Sequence, residues 1–357
     1  MIDIEQLLNL MLSKRASDLH LKVPSRPVLR IDGKLEIQKD WPPLSEQDIT
    51  EVFASITTPH QQEIFDHEQE LDFSYSVPGL ARFRVNVLRQ RGTSNVAFRL
   101  VPIEVPSIDK LGLPPILKKL VLKPRGLILV TGNTGSGKST TLAAMVNYLN
   151  DNENCNVITI EDPLEFLHCD RKCIISQRDV GEDTHSFATA LVHALRHDPD
   201  VLVVGEMRDL DTISAAITAA ETGHLVLGTL HTYDAPQSID RIIDVFPPIQ
   251  QSQIRVELSQ IIEAVVSQVL VSRINGGRVA AFEIMTASSA VRNLIRENKI
   301  HQLHTIMQTS SKDGMQTLNQ ALEIMVRESI ISKTEALQKS ADPEQLLKLI
   351  NYEYVMN

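Results

Sequence analysis

The first hundred residues combine one helical pattern with several short strand patterns. Apolar residues recur at every third or fourth position of residues 2–15, a spacing that places them on one face of a helix. The turn signal IDGK at residues 31–34 is typical of a β-hairpin. Residues 1–100 therefore predict a small α+β domain, whose strands should be residues 18–21, 28–31, 71–75, 82–88 and 95–100.

A proline-rich segment follows this domain. Residues 101–115 contain four prolines and show little periodicity, which predicts a linker of limited freedom. A proline-rich surface loop within one domain would have the same pattern, so both interpretations stay open.

Apolar runs and helical patterns alternate over residues 116–270, which predicts a mainly parallel sheet of α/β type. The run over 126–131 is continuous and suits a strand that is covered on both faces. From about residue 250 helical periodicity dominates, first over 254–272, so residues 271–357 predict a helical C-terminal region. The other expected strands are 156–160, 201–204 and 224–229, and the other expected helices are 140–149, 186–195, 211–222, 290–297, 315–328 and 344–350.

Charge and cysteine content narrow the functional classes. The 357 residues include 35 basic and 45 acidic side chains, a net charge of −10, which argues against a broad nucleic-acid interface. Three cysteines are typical of a reducing cytosol rather than of a disulfide framework. No run approaches the roughly 18 apolar residues that span a bilayer.

The strongest motif is a glycine-rich loop between a predicted strand and a predicted helix. Residues 132–139 read GNTGSGKS and match the phosphate-binding pattern GxxxxGK[ST] at each of its defined positions. Glycines allow the backbone to approach phosphate closely, and backbone N–H groups at a helix start attract anions. Lys138 should reach the β- and γ-phosphates of ATP, and Ser139 should bind Mg²⁺. We predict nucleotide contacts by Gly132, Asn133, Thr134, Gly135, Ser136, Gly137, Lys138, Ser139 and Thr140.

Two further strands end in carboxylates. The strand over 201–204 leads to Glu206, which we expect to meet the Mg²⁺ shell as a metal-binding and catalytic residue. The strand over 156–160 leads to Glu161, our first choice for the base that activates water, with Glu165 second. The alternatives are a surface glutamate at a strand end and acids that only cap the turn at Pro163.

Two histidines flank the next strand. His224 and His231 are seven residues apart, about 23 Å in an extended strand, so they do not share one metal ion. His231, at the end nearer the phosphate loop, is the better candidate for sensing the γ-phosphate. A structural role is the alternative for either histidine.

Long blocks of the sequence resemble the secretion-motor ATPases of type II secretion and type IV pili. Within that group the chain is similar to the pilus retraction ATPases of the PilT type, over residues 3 to about 325. The blocks are SDLHL at 17–21, RFRVN at 82–86, TGNTGSGKSTTLAAM at 131–145, TIEDPLEF at 159–166, DPDVLVVGEMRD at 198–209, AAETGHLVLGTLHT at 219–232, RIIDVFP at 241–247 and AVRNLIRE at 290–297.

The resemblance implies a fold and an assembly. The fold would be a RecA-like P-loop ATPase domain over 116–270 with a smaller PAS-like N-terminal domain over 1–100. Six copies would form a ring in which ATP and Mg²⁺ lie between the two domains. The resemblance makes both His224 and His231 catalytic candidates, and it implies that N-terminal arginines complete the site. By spacing these are Arg84 and Arg99, with Arg82 and Arg89 as rivals.

Two features favour retraction over pilus assembly or secretion. The family's assembly members generally carry an extra N-terminal region and a four-cysteine zinc knuckle, whereas no cysteine follows Cys173 here. The block at 290–297 resembles a signature of retraction motors. Departures from the family pattern are Asn133 in place of proline, His197 in place of an acid, and Tyr233-Asp234 in place of Asn-Ser.

The expected function is therefore a hexameric Mg-ATPase that powers pilus retraction and twitching motility. The expected partners are a membrane platform protein at the pilus base and a related accessory ATPase, and the expected location is the cytoplasmic face of the membrane. An assembly or secretion ATPase, a nucleotide-gated scaffold without turnover and a nucleic-acid translocase are the alternatives, in that order.

Overall fold

The computed structural model describes residues 2–102 and 104–354. Positions 1, 103 and 355–357 lie outside the described residues, and with them one position of the predicted linker and the outer ends of the predicted 1–100 and 271–357 regions. The chain forms two compact units, residues 1–103 and 104–357.

Within residues 2–102, the first unit contains three helices and six strands. In chain order they are α1 (Ile4–Ser13), β1 (Asp18–Leu21), β2 (Val28–Ile31), β3 (Lys34–Ile37), α2 (Glu46–Ile56), α3 (Pro59–Glu68), β4 (Glu70–Val77), β5 (Ala81–Gln90) and β6 (Thr93–Val101). The strands form an antiparallel sheet in the order β3-β2-β1-β6-β5-β4. Leucines of α1 pack with aromatic residues of the sheet in its core.

The sequence patterns found most of this unit. The N-terminal helix and all five predicted strands are present, and the predicted hairpin joins β2 to β3. Asp32 and Gly33 have φ values of 47° and 80°, the positive values that this type of turn requires. Strand β3 was not predicted; it has only four residues, and its Leu35 and Ile37 are 57% and 61% exposed.

The second unit is an α/β structure that begins with α4 (Ile116–Val121), β7 (Gly126–Thr131) and α5 (Lys138–Asn152). It continues through β8 (Asn156–Glu161), β9 (Ile174–Asp179), α6 (Phe187–Ala194), β10 (Val201–Val204), α7 (Leu210–Glu221), β11 (Leu225–Leu230), α8 (Ala235–Asp244), α9 (Pro248–Ile261), β12 (Ile262–Ser272) and β13 (Arg278–Thr286). The last helices are α10 (Ser289–Arg296), α11 (Leu303–Thr309), α12 (Leu318–Arg327), α13 (Lys333–Lys339) and α14 (Pro343–Tyr354).

Its seven-stranded sheet has the order β13-β12-β7-β11-β10-β8-β9, and every pair is parallel except β12 with β13. All side chains of β7, β10 and β11 are buried. Apolar clusters on both faces of the sheet explain why these strands read as continuous apolar runs. The carboxyl ends of the parallel strands meet at one edge, where the candidate site lies.

The predicted helix over residues 254–272 is correct up to Ile261 and wrong from Ile262 onwards. Helix α9 ends at Ile261 and β12 begins at the next residue, between β7 and β13. A strand that is buried on both faces has apolar residues at helical spacing as well, so the pattern did not separate the two structures. Because β13 completes the same sheet, the sheet extends to Thr286, past the predicted boundary at residue 270. The helical C-terminal region begins at Ser289 rather than at 271.

The predicted linker is also largely part of the second unit. The boundary between the units falls inside 101–115, but Ile108 and Leu113 are buried in the core beside α4. Within 2–102 and 104–354, no helix has the length and apolar character needed to cross a membrane.

Candidate active site

The glycine-rich loop leaves the carboxyl end of β7 and leads directly into α5. Gly132, Gly135 and Gly137 have φ values of 140°, 76° and 91°, which residues with a side chain rarely adopt. Gly137 precedes the first helical residue and has no side chain that could cap the helix. The first amides of α5 therefore stay available to an anion, as at other helix termini that bind phosphate.

Lys138 folds back over this loop. Its Nζ donates to the carbonyl oxygens of Gly132 at 2.8 Å and Asn133 at 3.2 Å. Burial lowers the pKa of Lys138, although the negative charges of Glu206 and Glu165 oppose the shift. The ammonium group is thus placed over the loop, where a phosphate oxygen would replace one of these carbonyl contacts.

Glu206 forms a contact with His231 across neighbouring strand ends. His231 Nε2 lies 3.0 Å from Glu206 Oε1, and Arg208 donates to the same oxygen. On its other side, His231 Nδ1 lies 3.5 Å from the Thr134 hydroxyl of the loop. Partial burial and the positive charge of Lys138 lower the pKa of His231, so a neutral imidazole is favoured beside the loop.

Glu161 lies at the end of β8. Thr159 Oγ1 donates to its Oε1 at 2.8 Å, and Gln177 Nε2 lies 3.4 Å from the same oxygen. Burial raises the pKa of the Glu161 carboxyl, although these hydrogen bonds oppose the shift. A carboxylate with a raised pKa and a fixed orientation suits a general base.

These groups line one cavity of about 500 Å³, a volume within the range of small-molecule sites. Its apolar wall includes Leu142, Val146, Phe187 and Leu270. Of the predicted residues, the cavity is lined by Thr134, Gly135, Gly137, Lys138, Ser139, Thr140, Glu161, Glu165, Glu206 and His231. Gly132, Asn133 and Ser136 shape the loop without lining this cavity.

The lining includes oxygen donors that suit Mg²⁺. Ser139 contributes a hydroxyl and Glu206 a carboxylate, and hard divalent cations prefer oxygen ligands. Glu206 is held in place by His231 and Arg208. The residues predicted to hold the metal therefore fit it in type and in location.

The structure does not bring His224 to this site, so its predicted catalytic role has no support from its position. It precedes β11 at the amino end of the strand, whereas the cavity lies at the carboxyl end. Its Nδ1 lies 2.9 Å from Ala219 O and 3.2 Å from the Thr222 hydroxyl. This position fits the structural alternative, a histidine that closes the end of α7.

Arg84 and Arg99 both belong to the first unit. They face each other as register partners on β5 and β6, and both are exposed. Arg99 Nε donates to the buried carboxylate of Asp18 at 2.8 Å, which fixes the direction of its guanidinium group.

Several residues that shape the site were missed in the sequence. Thr159 and Gln177 orient Glu161, Arg208 holds Glu206, and Gln268 donates to the loop from β12. Of these, only Thr159 and Arg208 lie close in sequence to a predicted catalytic acid, so only they could have been recognised from the sequence as residues that orient one. Gln177 and Gln268 lie on strands that carry no motif.

The fold and the cavity together define an α/β protein that binds an anionic ligand through a glycine-rich loop at the end of a parallel strand. Residues 1–338 match the family described as type II/IV secretion system protein, and the chain belongs to that family.

Individual relatives are similar over nearly the whole chain. The type IV pilus retraction ATPase PilT of Pseudomonas aeruginosa is 47% identical over 343 residues, which cover 96% of this chain and 99% of the relative. A twitching motility protein of Neisseria gonorrhoeae is 46% identical, with 90% and 86% covered. The crystal structure of the pilus retraction motor PilT with bound ADP has a TM-score of 0.91 and 45% identity, with 98% of this chain and 100% of that chain covered.

Proposed function

We propose that this chain is an ATPase motor that hydrolyses Mg-ATP to power the retraction of type IV pili. The observation that carries the proposal is the single cavity that joins the phosphate loop to Glu161, Glu206 and His231. Similarity over nearly the full length to retraction ATPases, one of them solved with ADP, supports the same reaction and the same direction of work.

In the proposed reaction, the loop amides and Lys138 hold the phosphates, and Glu161 accepts a proton from the attacking water. Burial raises the pKa of Glu161, which strengthens it as a base, and the Thr159 hydroxyl orients its carboxylate. His231, held between Glu206 and Thr134, contacts the terminal phosphate.

Ser139 and Glu206 would hold the magnesium ion. When bound, Mg²⁺ neutralises charge on the β- and γ-phosphate oxygens. Glu206 can serve this purpose while His231 and Arg208 keep its carboxylate in place.

We further propose the arrangement that the family resemblance implies. The second unit is RecA-like, the first is PAS-like, and six chains form a ring. Arg84 and Arg99 of one chain complete the site of its neighbour, and flexing at the unit boundary within 101–115 converts nucleotide exchange into rotation. Asp18 supports this role for Arg99, because it holds the guanidinium group in one direction.

The proposed partners are a platform protein of the inner membrane at the pilus base and a related accessory ATPase. The proposed location is the cytoplasm, at the inner face of that membrane. No nucleic acid is involved, which the net charge of −10 supports.

A deletion strain tests the direction of work. Cells without the protein should carry surplus surface pili and fail to move by twitching, and Lys138→Ala should not restore motility because the phosphates lose their cation. Lys333→Ala, at an exposed lysine on α13, should restore it fully. Bald cells would instead identify an assembly or secretion ATPase. Purified protein that binds ATP but never hydrolyses it would identify a scaffold.

A further inference from the structure

Gln268 contacts the phosphate loop from a neighbouring strand. It lies on β12, which pairs with β7, and its side chain is only 4% exposed. Its Nε2 donates to the carbonyl oxygen of Ser136 at 2.7 Å. We propose that Gln268 is a positioning residue for nucleotide binding, which holds the Ser136–Gly137 peptide so that its N–H faces the bound phosphates. The inference rests on the nucleotide-binding function proposed above.

The geometry of a peptide bond explains the effect. In a planar trans peptide the C=O and the N–H point in opposite directions. Because Gln268 draws the Ser136 carbonyl towards β12, the N–H of Gly137 points away from β12. Gly137 lines the cavity, and in this proposal its N–H is the group that meets an anion there. Without this hydrogen bond the peptide is free to turn, and its carbonyl oxygen would then repel the phosphates.

The loop also fits closely against Gln268 at both of its ends. A Cβ atom at Gly132 would lie 2.4 Å from the backbone oxygen of Gln268, and one at Gly137 would lie 3.2 Å from its Nε2. These two glycines therefore allow the loop to reach β12 as well as to reach phosphate. The contact extends from the first glycine of the motif to the last.

The side chains of Gln268 and Ser136 each contain a buried polar atom that makes no hydrogen bond within the described residues. These atoms are Gln268 Oε1 and the Ser136 hydroxyl oxygen. A buried polar atom without a partner costs free energy. An apolar side chain would avoid that cost but would release the Ser136 carbonyl.

The test compares Gln268→Met with Gln316→Met in the full-length protein. Gln316 makes a similar contact outside the cavity, because its Nε2 donates to Phe282 O at 2.9 Å. Binding is measured with a fluorescent ADP analogue, together with kcat, KM and thermal stability. Gln268→Met should weaken ADP binding and raise KM by about tenfold, the value of one lost hydrogen bond, with a smaller change in kcat. Gln316→Met should lower only the thermal stability.

A second variant separates positioning from folding. In Gln268→Glu the new carboxyl can donate to the Ser136 carbonyl only while it is protonated, and burial raises the pKa of that carboxyl. ADP binding relative to wild type should therefore be strongest at low pH, and it should fall below that of Gln268→Met as the pH is raised and the carboxyl ionises. If Gln268→Met bound ADP within twofold of wild type, or no worse than a Gln316→Met protein of equal stability, the inference would be wrong. If wild type itself did not bind ADP, the proposed function would fail first.

Discussion

At the scale of single residues, burial changes the pKa of one glutamate outside the cavity, Glu283. Glu283, in the middle of β13, is 5% exposed, and its Oε1 accepts a hydrogen bond from the Ala235 amide at the start of α8 at 2.9 Å. Burial, aided by the charge of Asp234, raises the pKa of Glu283 from its ordinary value of 4.5 to about 7. The group therefore titrates near neutral pH although it lies outside the cavity.

Glu283 predicts a pH-dependent stability. Because its pKa is higher in the folded protein, the folded state binds this proton more tightly than the unfolded chain between pH 4.5 and about 7. Ionisation thus lowers the free energy of unfolding as the pH rises through that window. Glu283→Gln lacks this ionisation. The free energy of unfolding of the variant, relative to that of wild type, should therefore increase by about 2–3 kcal/mol from pH 5 to pH 8. Urea unfolding at several pH values measures it, and a difference that does not change with pH would contradict the prediction.

At the scale of elements, the junction between α9 and β12 is held by a residue of another helix. Arg292 of α10 donates to the carbonyl oxygens of Ser259 at 2.9 Å and Gln260 at 2.6 Å, at the end of α9. It also pairs with Glu263 at 2.7 Å, which Lys123 contacts at 3.1 Å. Arg292 therefore caps a helix that has no loop between its last residue and the following strand.

The block at 290–297 contains two arginines, Arg292 and Arg296, and we expect only Arg292 to contribute much to stability. Arg292→Ala should lower the free energy of unfolding by about 2–4 kcal/mol, because Glu263 loses one of its two cations and two carbonyl groups lose their donor. The matched variant is Arg296→Ala on the same helix, an exposed residue whose described hydrogen bond is local, to Asn293 at 3.3 Å. It should change stability by less than about 0.5 kcal/mol. Denaturant unfolding of both proteins decides, and equal losses would show that Arg292 does not support the junction.

At the scale of the whole molecule, the proposed catalytic groups are divided between the two units. The cavity residues all belong to residues 104–357, whereas Arg84 and Arg99 belong to residues 1–103. A ring that joins these groups across a subunit boundary predicts that two inactive variants restore each other's activity.

Glu161→Gln should lower kcat by about 10²–10⁴ while ADP still binds, because only the base is removed. Arg99→Ala should also be nearly inactive, because charge in the transition state loses its cation. When the two are mixed and reassembled, some interfaces pair an intact Glu161 with an intact Arg99. The ATPase activity of the mixture should then exceed the sum of the two alone. A mixture as inactive as its components would contradict the arrangement between subunits.

Much of the fold and part of the site followed from local patterns. Strands β7 and β10 begin and end as predicted, because buried parallel strands give unbroken apolar runs between polar residues. Asp342 caps α14, since Gln345 N donates to its side chain at 3.0 Å, and an aspartate followed by a proline is a local signal for a helix start. The cap and both strands depend on neighbours in sequence. The predicted domain boundary at residue 270 was wrong because residues 262–272 form a strand, β12, only by pairing with β7 and β13.

The sequence by itself determined the phosphate loop, because close approach to phosphate requires glycines and one lysine within eight consecutive residues. It also placed Glu161, Glu206 and His231 at strand ends, because parallel strands bring their carboxyl ends to one edge. Only the tertiary structure decided that Gln268 contacts the loop and that Glu283 is buried. Those properties arise from contacts between residues far apart in the chain, which no local pattern encodes.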